Sequence, residues 1–227
     1  MKSIKVEPTA AHPEAEELLL EVRKERVDYV VGLRTRSLVL VLEGLEDSFN
    51  MAAVLRTCEA MGLQELHVIP RPEVPFSPHV KVTQGCEKWI DVITHGTFAA
   101  CRESLKSRGF SIWASAPGPN ARSLFCLRFD GPIALVFGNE RSGVSPEALS
   151  GADGIFWVPL RGFTQSMNVS AAAALCVGYA VHWRETQLGP GGDLSAAEAR
   201  SLTRRFYELS VKQRGRIFRQ TGDDETR

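Results

Sequence analysis

Residues 157–175 read Trp-Val-Pro-Leu-Arg-Gly-Phe-Thr-Gln-Ser-Met-Asn-Val-Ser-Ala-Ala-Ala-Ala-Leu. A short apolar run over residues 155–158 has the continuous character of a buried strand. It breaks at Pro159, crosses a polar turn with Gly162, and enters an Ala-rich helix at about Asn168. Polar side chains and free helix-start N–H groups therefore gather at the C-terminal edge of a strand, where open α/β sheets bind their ligands. The plainer reading is a capped helix after a strand, with Ser166 or Asn168 as the cap.

Working outward, residues 37–42 and 66–69 are apolar runs of strand length, as are 110–114 and 133–137. Between them lie helical patterns over 50–61, ended by Gly62, and over 97–107, with Phe98, Cys101 and Leu105 on one face. Ser145-Pro146 opens another helix, and residues 168–184 form a long one. Residues 70–78 are Pro-rich and must be a loop. Strands alternating with helices predict an α/β fold, a mostly parallel sheet with helices on both faces. The expected organisation is an N-terminal helical extension over 1–36, a central domain over 37–188, and a basic C-terminal helical extension over 189–227. Residues 1–13 are expected to be poorly ordered, and 14–33, with Leu18, Leu19, Val22, Val27, Tyr29 and Val30 among charges, to form a small amphipathic element.

Two further loops follow strands. In the first, Glu43-Gly-Leu-Glu-Asp-Ser-Phe-Asn50, Asn50 occupies the expected N-cap of a helix whose inward face is Val54, Leu55, Cys58 and Met61. Arg56 lies off that face, and its plain role is pairing with Glu59 one turn on. In the second, Gly138-Asn-Glu-Arg-Ser-Gly143, glycines permit close backbone approach to a ligand. Val144 stands where a P-loop needs lysine, and no G-x-G-x-x-G occurs, so nucleoside triphosphates and dinucleotides are disfavoured.

Together these segments resemble a known family. Asn50-x5-Arg56, then Phe-Gly-Asn-Glu-Arg-Ser-Gly-Val, then Val-Pro-Leu-x-Gly-x-x-Gln-Ser-Met-Asn-Val-Ser-Ala-Ala, are similar in order to the three motifs of SPOUT-class RNA methyltransferases. The resemblance runs from about residue 38 to residue 184. Within that class the first and third motifs resemble the TrmH subfamily of 2′-O-ribose methyltransferases, and the helical ends resemble its tRNA guanosine-18 members. The resemblance implies a C-terminal trefoil knot, a homodimer, and a site for S-adenosylmethionine, left as S-adenosylhomocysteine. Carried over residue by residue, it implies catalytic roles for Arg56, Asn50, Ser166, Asn168 and Glu140. It implies cofactor contacts at Ser115, Ala116, Gly138, Asn139, Glu140, Val158, Leu160, Ser166 and Met167.

Formal net charge is zero, so no whole-molecule basic field marks an RNA partner; the local distribution matters more. Arg200, Arg204, Arg205, Lys212, Arg214, Arg216 and Arg219 face a single acid, Glu208, over residues 200–219. Arg204, Arg205, Lys212, Arg214 and Arg216 are accordingly expected to contact RNA phosphates. Phe206, Tyr207 and Phe218 among them are expected to dock the helix rather than to stack on bases. Five cysteines without paired spacing indicate neither a zinc motif nor a disulfide framework, and fit a reducing cytoplasm. No apolar run approaches a membrane span and residues 1–17 carry no signal-peptide pattern, so no membrane partner is expected. The expected partner is RNA, tRNA first. The rivals are ribosomal RNA or another tRNA position, and a non-catalytic RNA-binding relative.

Overall fold

A computed structural model describes residues 21–222, with side chains described through residue 211. The expectations for residues 1–20, Leu18 and Leu19 among them, lie outside the described residues. Two compact units are present, residues 35–191 and the two chain ends, up to residue 34 and from residue 192.

In the larger unit, β1 (Leu38–Glu43), β2 (Glu65–Ile69), β3 (Asp91–Thr94), β4 (Ser111–Ser115), β5 (Arg122–Ser123), β6 (Ile133–Phe137) and β7 (Gly154–Trp157) form one sheet in the order β3-β2-β1-β6-β4-β7-β5. Every registered pair is parallel, with Leu38 opposite Ile133 and Leu40 opposite Leu66 at the centre. β1 is apolar throughout its buried length because both its faces are covered. Leu38, Leu40 and Leu42 pack with Met51, Val54, Leu55 and Cys58 of α2 (Ser48–Ala60) and Ala173, Cys176 and Val177 of α6 (Val169–Leu188). On the opposite face Val39 and Val41 pack with Phe98, Cys101 and Leu105 of α4 (Phe98–Lys106) and Ala148 of α5 (Pro146–Gly151). Met61, expected on the inward face of α2, is its C-cap and is 37% exposed.

The chain leaves β1 toward β2 and β3, then returns on the other side of β1 to lay down β4 and β6. The β1/β6 junction is therefore the point of reversal, and all strand C-termini open on the same edge. The short edge strands β3 and β5 escaped the sequence reading. Four and two residues long respectively, they are too brief to show a period. The Pro-rich segment ends in a one-turn helix, α3 (Val80–Thr83).

Glu65, at the start of β2, is almost fully buried and is met by Arg36 Nη1, by Arg108 Nη1 at 2.7 Å and by His67 Nε2 at 3.4 Å. Burial by itself would raise its pKa; the hydrogen bonds from His67 and Arg108 and the charges of Arg108 and Arg36 outweigh this and bring it down to about 2. Removing one partner of such a cluster strands the others. Glu65→Ala is expected to lower unfolding free energy by about 3 kcal/mol in urea titrations.

In the smaller unit, α1 (Glu21–Gly32) packs on α7 (Ala196–Gly222). Phe206 and Tyr207 are buried, and Tyr207 donates its hydroxyl to Asp28 at 3.2 Å while Arg23 Nε donates to Ser210 at 3.2 Å. These two aromatics therefore dock the helix; the Phe218 side chain lies outside the described residues. No described helix is long and apolar enough to cross a membrane.

Candidate active site

Three loops converge on the C-terminal edge of the sheet, following β1, β6 and β7. The first is tied down at both ends. Glu43 accepts hydrogen bonds from Ser145 N at 2.9 Å and Ser145 Oγ at 2.7 Å, and Gly44 N donates to Ile69 O at 2.8 Å. The cap of α2 is Asp47, not Asn50. Its carboxylate accepts from Phe49 N at 2.7 Å and Asn50 N at 3.2 Å, as a charged acceptor suits the positive end of a helix. This frees the Asn50 side chain for long-range use.

The second loop is built on itself. Asn139 N and O pair with Gly143 O and N at 3.0 and 2.9 Å. The Asn139 Oδ1 accepts from Arg141 N at 2.9 Å and Ser142 N at 3.1 Å, while its Nδ2 donates to Gly44 O at 2.8 Å. Asn139 thus spends its side chain on holding the first two loops together. A Cβ on Gly138 would lie 2.1 Å from the Gly143 carbonyl, so no other residue fits there without backbone movement.

The third loop ends at Asn168, which caps α6: Oδ1 accepts from Ser170 N at 2.9 Å and Ala171 N at 3.3 Å. Its other end does different work. Asn168 Nδ2 donates to Asn50 Oδ1 at 3.0 Å, and Asn50 Nδ2 donates to Glu140 Oε1 at 3.0 Å. Glu140, Asn50 and Asn168 therefore form one hydrogen-bonded chain across all three loops. Such a chain fixes both amide orientations, because only one flip of each satisfies its donors and acceptors. Asn168→Ala is expected to cost about 1 kcal/mol of stability by loss of the cap. Asn168→Ser restores a capping oxygen without the amide donor, so it separates the two roles: stability recovers in urea titrations and the link to Asn50 does not.

Arg56 is exposed on α2, and its Nη1 donates to the Val82 carbonyl of α3 at 3.2 Å. No described hydrogen bond joins it to Asn50, Glu140 or Asn168. Ser115 closes β4 and Ala116 follows it, with Ala116 N donating to Phe156 O at 2.9 Å. Val158 and Leu160 are half-buried after β7; Ser166 and Met167 are exposed just before the Asn168 cap. Arg141 and Arg161, which sequence reasoning did not single out, are exposed on the second and third loops; their positions inside the two motifs were the available signal. Of the basic candidates on α7, Arg204 is exposed and lies 3.7 Å from Glu208, and Arg205 lies over the Phe206 ring at 5.6 Å. The side chains of Lys212, Arg214 and Arg216 lie outside the described residues.

Residues 37–178 match the SpoU rRNA Methylase family. The chain belongs to the SpoU rRNA methylase family. Among relatives of this SpoU chain, a tRNA (guanosine(18)-2′-O)-methyltransferase of Thermus thermophilus is 37% identical over 156 residues, 68% of this chain and 79% of the relative. A protein of the same name from Borreliella burgdorferi is 34% identical over 194 residues, 86% of this chain and 88% of that one. The crystal structure of the A. aeolicus TrmH/SpoU tRNA modifying enzyme is similar with a TM-score of 0.76 at 28% identity, covering 84% of this chain and 98% of that chain.

Proposed function

We propose that this SpoU protein transfers a methyl group from S-adenosylmethionine to the 2′-hydroxyl of guanosine 18 in tRNA. The observation that carries the reading is the Glu140–Asn50–Asn168 chain, which links the three family motifs at the C-terminal edge of a parallel sheet. Relatives bearing that activity in their names, matched over most of this chain, direct the choice of RNA.

The residues present suit the cofactor. Gly138 keeps the backbone open to close approach, and half-buried Val158 and Leu160 supply apolar wall beside exposed Met167. Ser115, Ala116, Asn139 and Glu140 add backbone groups at adjoining strand ends, the usual mix for a small-ligand site. When bound, the sulfonium supplies an electrophilic methyl group. The chain's own residues then align the hydroxyl. Arg56 clamps the neighbouring phosphate and makes the 2′-hydroxyl more acidic, its proton passing to solvent as the oxygen takes the methyl group, since a guanidinium stays protonated and is a poor base. Asn50 is held by Glu140 and Asn168 so that its position does not need to be set during reaction, and Ser166 borders the same turn. Arg141 and Arg161 add phosphate contacts near the reacting centre, and Arg204, Arg205, Lys212, Arg214 and Arg216 add them from the terminal unit.

The trefoil knot and the homodimer belong to this reading as well. The insertion of β6 between β1 and β4, and the return of α6 to the α2 face, support the first. The second is supported by a small-residue and apolar stripe on α6, Ala171, Ala174 and Leu175, that is exposed in the single chain. Free thiols at all five cysteines support a reducing cytoplasmic location.

The test is transfer of label from S-adenosylmethionine to unmodified tRNA and ribosomal RNA transcripts. The reading expects labelled tRNA and unlabelled ribosomal RNA. Label on ribosomal RNA alone would move the substrate class, and cofactor binding without transfer to either would favour the non-catalytic relative.

A further inference from the structure

Away from these loops, under α4, lie three side chains that the methyl-transfer reading does not use. His67 of β2 is fully buried; His95 follows β3 and is anchored by its backbone N donating to Val68 O at 2.8 Å; Cys101 of α4 is fully buried. His67 Nδ1 and His95 Nε2 are 2.9 Å apart, and the ligand atoms of all three residues lie within 4.8 Å of one another. We propose that His67, His95 and Cys101 form a structural zinc site that fastens β2, the β3–α4 turn and α4 together.

The His67 tautomer already fits, and His95 moves its proton from Nε2 to Nδ1 when a cation takes the place of the proton between the rings. Glu65, itself held by Arg36 and Arg108, accepts from His67 Nε2 at 3.4 Å and so leaves the Nδ1 lone pair toward His95. A carboxylate behind the non-ligating nitrogen is how metal-binding histidines are oriented. Two nitrogen lone pairs cannot face each other at this separation, so either a proton or a cation must sit between them. Two imidazoles and a thiolate form a borderline-soft set that suits zinc better than magnesium or calcium. Tetrahedral bonds of about 2.0–2.3 Å put such donors under about 4 Å apart, so the thiol must close in by about 1 Å, and a solvent oxygen entering beside half-buried His95 would take the fourth position. His95, half-buried at a turn, has the freedom to follow. Cys101 gives up its thiol proton to solvent as it binds the metal. Separations of 28 residues and then 6 match no zinc motif, which is why the sequence pattern gave no sign of it.

Full-length protein stripped with a chelator and titrated with Co²⁺ reads this directly. One equivalent is expected to produce a thiolate-to-cobalt charge-transfer band, which one equivalent of Zn²⁺ removes. Zinc at a hundredfold excess over its Kd is expected to raise the melting temperature by about 5–10 °C. Cys101→Ser abolishes the band, His95→Gln weakens Co²⁺ binding by at least about tenfold, and Cys126→Ser, at the exposed thiol, leaves both unchanged. No stoichiometric band with the wild-type protein, a band that survives Cys101→Ser, or one lost in Cys126→Ser overturns the site in favour of a hydrogen-bonded histidine pair above an inert thiol. If Cys101→Ser does not fold, His95→Gln decides: undiminished Co²⁺ affinity there overturns the proposal.

Discussion

Arg56→Ala is expected to lower methyl transfer by about 100- to 1,000-fold while cofactor affinity stays within about twofold. Arg56 is on the solvent face of α2 and donates a hydrogen bond only to the Val82 carbonyl among its described partners. Losing that one exposed bond costs the fold little, so the deficit is catalytic rather than structural. Arg56→Lys separates charge from geometry. It keeps the positive charge and loses the planar fork, and is expected to recover only a small part of the activity. Single-turnover rates with saturating RNA, set beside calorimetric cofactor binding, make the comparison. Near-full turnover in Arg56→Lys would remove the arginine from both the clamp and the polarising role.

Gly138→Ala is expected to destabilise the protein by about 3 kcal/mol and to weaken cofactor binding by at least about tenfold. The added methyl carbon would stand 2.1 Å from the Gly143 carbonyl and 2.2 Å from Val144 N. Both are backbone atoms of a turn pinned by the paired Asn139–Gly143 bonds, so relief requires the turn to open. Opening it also pulls Asn139 from Gly44 and Glu140 from Asn50. Gly162→Ala is the control: its nearest neighbour is Thr164 N at 4.0 Å, and its stability is expected within about 0.5 kcal/mol of wild type. Urea titration and isothermal calorimetry of both variants check the pair.

How far the sequence could be read depended on whether a residue's neighbours were local. β1 and β6 were visible because strands covered on both faces are apolar at every position. Asn168 was visible, beside Ser166, as a candidate cap because the N–H groups it accepts from are two and three residues away. The cap of α2 was misplaced at Asn50 because Asp47 and Asn50 have similar local chemistry. What separates them is tertiary: Asn50 is claimed by Glu140, 90 residues on, and by Asn168, 118 residues on. Arg56 shows the same limit, since its partner is the Val82 carbonyl, in a stretch beyond the Pro-rich loop of 70–78 that the sequence assigns to no element. Asn139 reads as a cofactor contact through its backbone; that its side chain ties the loop to Gly44, 95 residues away, is a tertiary fact the sequence does not carry. The family resemblance brought the three motifs together before any of these distances were known, but it could not say which amide bonds to which.

The most direct measurement is the position of the methyl group. A tRNA transcript incubated with the protein and S-adenosylmethionine is cleaved in alkali, which spares a phosphodiester only where the preceding 2′-hydroxyl is methylated. The account predicts a single protected step, after guanosine 18, absent when Arg56 is replaced by alanine. Protection at another nucleotide, or none despite stoichiometric cofactor binding, would contradict it.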